Sequence, residues 1–146
     1  MIHDVTVSPL EIFGDERGSV FRMLRTSDVQ FSGFGEIYFS EILPGAVKPW
    51  RCHTRNTSQL AVPVGTVRIV LLDDRPTSPT YRSHMEVLSG RENYLLTIVP
   101  PGVWALFVGL GPGTSLIANC SDALHDPSEV LRRSADDPDF PVTWQT

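Results

Sequence analysis

A histidine set between two arginines, in Trp50-Arg51-Cys52-His53-Thr54-Arg55, is the stretch of this chain with the clearest capacity for chemistry. An imidazole, with an ordinary pKa near about 6.5, can take a proton at neutral pH from a carbon made acidic by an adjoining carbonyl. A guanidinium beside it can carry the charge that develops on the carbonyl oxygen, or pair with a diphosphate. If 50–55 is extended, the two-residue period of a strand sends Arg51, His53 and Arg55 to one face and Trp50, Cys52 and Thr54 to the other. One face is then cationic, with a titratable base at its centre.

Other candidates carry less. His3 lies in the N-terminal strand and His84 faces out on a strand, while His125, just before the Asp126 cap, falls close to a segment that could join the site. Tyr38 and Tyr81 are alternative acids, although aromatic residues on strands usually serve packing. Trp50, Trp104 and Phe107 suit core or pocket wall. The run Asp73-Asp74-Arg75-Pro76-Thr77-Ser78-Pro79-Thr80 reads first as a loop stiffened by an Asp–Arg pair and two prolines.

The elements that must position these residues are short. Twelve prolines and eleven glycines break the 146 residues into apolar runs of roughly four to eight, many rich in Val, Ile, Phe or Tyr, the pattern of an almost all-β chain. The expected strands are 5–10, 20–24, 35–43, 50–55, 59–64, 67–72, 84–88, 94–98, 104–108 and 115–119. Their spacing suits a sandwich or small barrel. Gly65-Thr66 offers a two-residue hairpin turn between the fifth and sixth runs. Near the end, Asp126-Pro127-Ser128-Glu129 has an N-cap aspartate and a proline at the first helical position, which predicts a short helix continuing to Ser134. Beyond it Phe140, Val142 and Trp144 alternate as an edge strand would.

Length and 41% hydrophobic content fit one domain with one core. A net charge of −5, with twelve scattered Lys and Arg residues, argues against nucleic acid as a partner. Cys52 and Cys120, without Cys-x-x-Cys spacing, indicate a reduced, cytoplasmic protein, and no apolar window approaches the roughly 18 residues a membrane span needs.

Several motifs in order carry a resemblance: Asp15-Glu16-Arg17-Gly18, the histidine strand, Asp73 to Thr80, Leu88-Ser89-Gly90 with Asn93-Tyr94, Ile98 to Val103, and Asp137-Pro138 with Phe140 and Trp144. Together they resemble the dTDP-4-dehydrorhamnose 3,5-epimerase family. The resemblance implies a double-stranded β-helix, the cupin or jelly-roll barrel, over residues 1–146 as a single cupin domain. It further implies a homodimer that epimerises a nucleotide-linked 4-keto-6-deoxysugar without a metal or other cofactor. On the matching positions it makes His53 the catalytic base and Asp137 the carboxylate that orients it, with Asp136 as a substitute. It also places Arg17 on the nucleotide diphosphate across the dimer interface. Arg51, Arg55, Trp50 and Tyr38 complete the expected substrate contacts.

The departures bear on the reaction. Trp50 stands where the family has an arginine, Ala105 where it has a second histidine, and 115–126 contains no tyrosine where the family has its general acid. Single-site epimerisation or a 3,4-ketoisomerisation therefore fits better than double epimerisation. The metal-binding cupins' His-x-His pair reads His53-Thr54-Arg55 here, and one ligand beside a cation is no metal site. The alternative from another class is a non-catalytic cupin that binds a nucleotide sugar or scaffolds a biosynthetic partner.

Overall fold

The computed structural model describes residues 1–140 and 142–144, and in them the short apolar runs do form strands, all paired antiparallel. One five-stranded sheet runs β1 (Thr6–Pro9), β9 (Leu95–Val99), β6 (Ser58–Val64), β11 (Ser115–Ser121) and β4 (Glu36–Ile42) in spatial order. The other runs β12 (Val130–Arg132), β5 (Val47–His53), β10 (Val103–Gly109), β7 (Thr66–Asp73) and β8 (His84–Gly90). A separate hairpin, β2 (Ile12–Asp15) with β3 (Gly18–Phe21), carries Asp15 and Arg17. The all-β cupin architecture expected from the sequence is the one observed.

Alternation along the strands builds two apolar layers. Ile69, Leu71 and Val103 face inward with Leu60, Val62 and Ile117 of the opposing sheet, and fill the space between the sheets. Val70, Leu72, Trp104 and Leu106 point the other way, yet they are buried too. The chain after β12 covers them: Phe140 lies edge-on to Trp50, with ring centroids 5.4 Å apart, and to Trp104 at 5.1 Å. Arg133 stacks on the Phe140 ring at 4.8 Å. β7 consequently reads as a nearly unbroken apolar run, because both its faces are covered.

Three local expectations are corrected. Gly65 turns no hairpin: β6 pairs with β9 and β11, β7 pairs with β8 and β10, and Gly65 is the corner where the chain passes from one sheet to the other. Its φ of +76 suits glycine, and a Cβ there would sit 2.3 Å from Ser115 Oγ. The Asp126 cap exists, its side chain accepting from Ser128 N at 2.9 Å, but it starts only a 3₁₀ turn, Pro127–Glu129. The chain then extends into β12, whose backbone groups pair with β5. Phe140, Val142 and Trp144 join no strand; Phe140 is a plug, and Trp144 Nε1 donates to Ala135 O at 3.1 Å. No helix among the described residues is long and apolar enough to cross a membrane.

The 73–80 loop is held by charge, as its Asp–Arg pair suggested. Asp73, 0% exposed, accepts from Arg75 Nε at 2.8 Å, Ser78 Oγ at 2.6 Å and Thr80 Oγ1 at 2.7 Å. Burial alone would raise its pKa, but the donors from Arg75, Ser78 and Thr80 outweigh it and hold the carboxyl well below the usual carboxylate range. A group held lower folded than unfolded stabilises fully above the unfolded value near about 3.9 and loses that contribution as pH falls below it. Asp73→Asn should therefore cost about 3 kcal/mol at pH 7, seen as a drop of roughly 6–12 °C in melting temperature. The gap from the parent should shrink as the melts are repeated toward about pH 3; a gap that does not change with pH would contradict the assignment.

Candidate active site

The end of β5 and the 3₁₀ turn build the centre of the site together. β12 pairs with β5 so that Val130 lies opposite His53 and Arg132 opposite Arg51, which brings Glu129 over the end of the strand. Glu129 is 1% exposed. Its main-chain oxygen accepts from Thr54 N and Thr54 Oγ1, each at 2.8 Å. Its carboxylate accepts from the backbone N–H groups of Arg55 at 3.1 Å and Asn56 at 3.2 Å, and from His53 Nδ1 in a short bond. Burial pushes the Glu129 carboxyl up, while the His53 bond and the two backbone donors pull it down further, so it lies below its ordinary value. An ionised carboxylate can only accept. Nδ1 of His53 must therefore carry the proton, which leaves Nε2 as the basic nitrogen.

His53 lines an inner chamber of ≈ 40 Å³ between the sheets, together with Arg51, Tyr38 and Asn119 and an apolar wall that includes Val103 and Phe107. An outer chamber of ≈ 300 Å³ adjoins it, sharing Tyr38, Arg51, Phe107 and Asn119 and adding Lys48 and Arg132. Among the described residues its lining has three cations and no carboxylate. Lys48 reaches this wall because of a β-bulge. Ala105 lies opposite Arg51 but Phe107 lies opposite Lys48, so β5 carries one residue more than β10 at Pro49-Trp50. Proline cannot donate to the ladder, and the extra residue turns Lys48 onto the face of Arg51. Arg51 and Arg132, directly opposed across strands, repel each other, and neither pairs with a carboxylate among the described residues. A bound dianion relieves that repulsion.

The expected residues divide clearly. The structure brings together His53, Arg51 and Tyr38. Trp50 contributes to the outer wall, but it is wholly buried and its ring packs on Phe140. Arg55 swings out to Asp126 at 2.7 Å and lines neither chamber. Arg17 sits on the β2–β3 hairpin with its side chain 83% exposed, paired to Asp15 at 2.6 Å. Asp137 accepts from Arg133 at 3.1 Å and does not reach His53, so the carboxylate at the imidazole is Glu129. Cys52 is no nucleophile, since burial pushes its thiol up to about 11. No three His, Cys, Asp or Glu side chains cluster to hold a metal ion among the described residues. Sequence reasoning missed Glu129, Lys48, Arg132 and Asn119. The signal for Glu129 was the capped turn itself, whose third residue lies over the strand end if the chain stays extended beyond it.

The family model described as dTDP-4-dehydrorhamnose 3,5-epimerase matches residues 1–146. A probable low-salt glycan biosynthesis epimerase of Haloferax volcanii is 30% identical over 127 residues, 86% of this chain and 81% of that protein. The crystal structure of a dTDP sugar isomerase from Desulfovibrio desulfuricans G20 superposes with a TM-score of 0.95 at 43% identity, covering 98% of this chain and 92% of the other. A 3,5-epimerase from Legionella pneumophila, solved with dTDP-4-keto-L-rhamnose, shares the fold at a TM-score of 0.84 and 21% identity, over 99% and 82% of the two chains.

The opposed arginines make a measurable trade. Arg132→Gln should raise the melting temperature of the unliganded protein by about 1–3 °C. It should also weaken binding of inorganic pyrophosphate about tenfold by calorimetry. A lower melting temperature with unchanged pyrophosphate affinity would rule out an anion site there.

Proposed function

We propose, from the premise that this chain belongs to the dTDP-4-dehydrorhamnose 3,5-epimerase family and is by class a sugar-nucleotide epimerase or isomerase, that it exchanges a proton next to the ketone of a nucleotide-linked 4-keto-6-deoxysugar, with His53 as base. One observation carries this reading: Nδ1 of His53 is tied to the buried carboxylate of Glu129, and the imidazole lines a chamber between the sheets. Nε2 takes the proton from the carbon beside the carbonyl. The electron pair moves into an enolate, and Arg51, on the wall of both chambers, offsets the charge on its oxygen. The proton then returns to carbon, and no oxidant or reductant is consumed.

The charge distribution supports the same substrate class. The inner chamber is largely apolar and, at ≈ 40 Å³, suits the reacting edge of a deoxysugar, and the outer chamber, at ≈ 300 Å³, carries Lys48, Arg51 and Arg132 and suits a diphosphate. This assigns the diphosphate to Lys48 and Arg132 within one chain, while Arg17 on its hairpin is free to act only at a neighbouring subunit. The reading is metal-independent because, among the described residues, His53 is the one on either wall with a side chain suited to a divalent ion, and Arg51 stands beside it.

Glu129 is a positioning residue. Held below its ordinary value, its carboxyl stays ionised at neutral pH. Solvent deuterium incorporation into dTDP-4-keto-6-deoxyglucose tests the reading directly. The parent protein should exchange, His53→Asn should lose about 10³-fold or more, and Glu129→Gln should lose about 10²-fold in kcat with KM nearly unchanged. No exchange by the parent into any nucleotide-linked 4-keto-6-deoxysugar would favour a binding or scaffolding role and overturn the reading.

A further inference from the structure

We infer that Tyr38 and Asn119 recognise a ketone together with the hydroxyl on its neighbouring carbon, so that His53 exchanges the proton of the hydroxyl-bearing carbon and not that of the carbon on the other side of the ketone. The inference rests on the proposed reaction and fixes its position. Tyr38 on β4 and Asn119 on β11 are directly opposed across the two strands, in the sheet that faces β5. Both line both chambers, so they stand on the wall across from His53. Asn119 Nδ2 donates to Tyr38 Oη at 2.7 Å. With an acceptor position of the phenol oxygen taken by Asn119, Tyr38 keeps its own hydrogen to offer. Burial pushes the phenol above its ordinary value, so it keeps that hydrogen at neutral pH.

The other half of the pair is an acceptor. Asn119 is 6% exposed, and its Oδ1 is buried without a hydrogen-bond partner among the described residues. An orphaned buried carbonyl is rare in a native fold and marks a group that lacks its donor. One donor beside one acceptor matches a carbonyl beside a hydroxyl: the ketone oxygen accepts from Tyr38, and the hydroxyl donates to Asn119 Oδ1. It does not match a carboxylate or phosphate, which offers no donor to Oδ1. Contacts to both oxygens fix the carbon that bears the hydroxyl and present it across the chamber to His53. Its C–H bond breaks, the proton goes to Nε2, and the electron pair becomes the double bond of an enolate held by Tyr38 and Arg51. Reprotonation of the same carbon restores the ketone.

The test compares two nucleotide-linked 4-keto-6-deoxysugars in deuterated solvent, one with a hydroxyl on carbon 3 and one with carbon 3 deoxygenated, and locates the deuterium by NMR. The parent protein should label carbon 3 of the hydroxylated sugar and should process the 3-deoxy sugar about 10³-fold more slowly, since the latter leaves Oδ1 unpaired. Asn119→Ala should reduce that ratio to less than about tenfold. Asn119→Asp, which keeps an acceptor, should preserve most of it. The ratio does not depend on how much of a variant is folded. Tyr38→Phe should lower kcat for the hydroxylated sugar with little change in KM. Deuterium at carbon 5 alone, or a ratio that Asn119→Ala leaves intact, would overturn the inference while leaving the proposed reaction standing. Absence of exchange into either sugar would overturn both.

Discussion

A single buried carboxylate holds the working half of this molecule in place. Glu129 occupies a position where an uncompensated charge would be costly, and it is tolerated because His53 and the backbone N–H groups of Arg55 and Asn56 all donate to it. Those bonds clamp the 3₁₀ turn onto the end of β5. β12 then pairs with β5, Arg132 arrives opposite Arg51, and the chain that follows closes over Trp50 and Trp104 with Phe140. The bond that orients the imidazole is therefore also the one that anchors the C-terminal cover of the sheet. Stability and chemistry share a residue.

The two sheets divide the labour across the cavity. β5 and β12 supply the base and the cations, while β4 and β11 supply the neutral polar pair Tyr38 and Asn119. Apolar side chains such as Val103 and Phe107 form part of the wall between them. Charge is concentrated where a diphosphate would lie and thinned where a sugar ring would. An overall acidic protein thus presents a locally cationic mouth, a contrast that net charge does not reveal.

Much of the scaffold was legible in the sequence. Period-two alternation placed Arg51 and His53 on one face and Trp50 and Cys52 on the other, and ten of the strands follow from apolar runs between Gly and Pro. What was not legible depends on pairing between distant segments. A glycine that suits a hairpin turn suits a corner between sheets equally well, and only the partners of β6 and β7 tell the two apart. The Asp126 cap signals a helix start, but the extended continuation is decided by β5. Lys48 was hidden because a bulge shifts the alternation by one residue, and its cause, Pro49, shows its effect only against β10. The orienting carboxylate was sought at Asp137 by resemblance, whereas Glu129 reaches the imidazole from a turn held by its bonds to the residues at and just beyond the end of β5.

The account depends most on the protonation pattern of one ring, with the hydrogen on Nδ1 facing Glu129 and Nε2 bare toward the chamber. Nitrogen-15 NMR of the imidazoles at neutral pH, with two-bond proton–nitrogen correlations assigned through His53→Asn, reads this pattern directly. The account predicts a pyrrole-type nitrogen at Nδ1 and a pyridine-type nitrogen at Nε2 in the parent protein. A proton on Nε2, in the opposite tautomer or in a fully protonated ring, would contradict it.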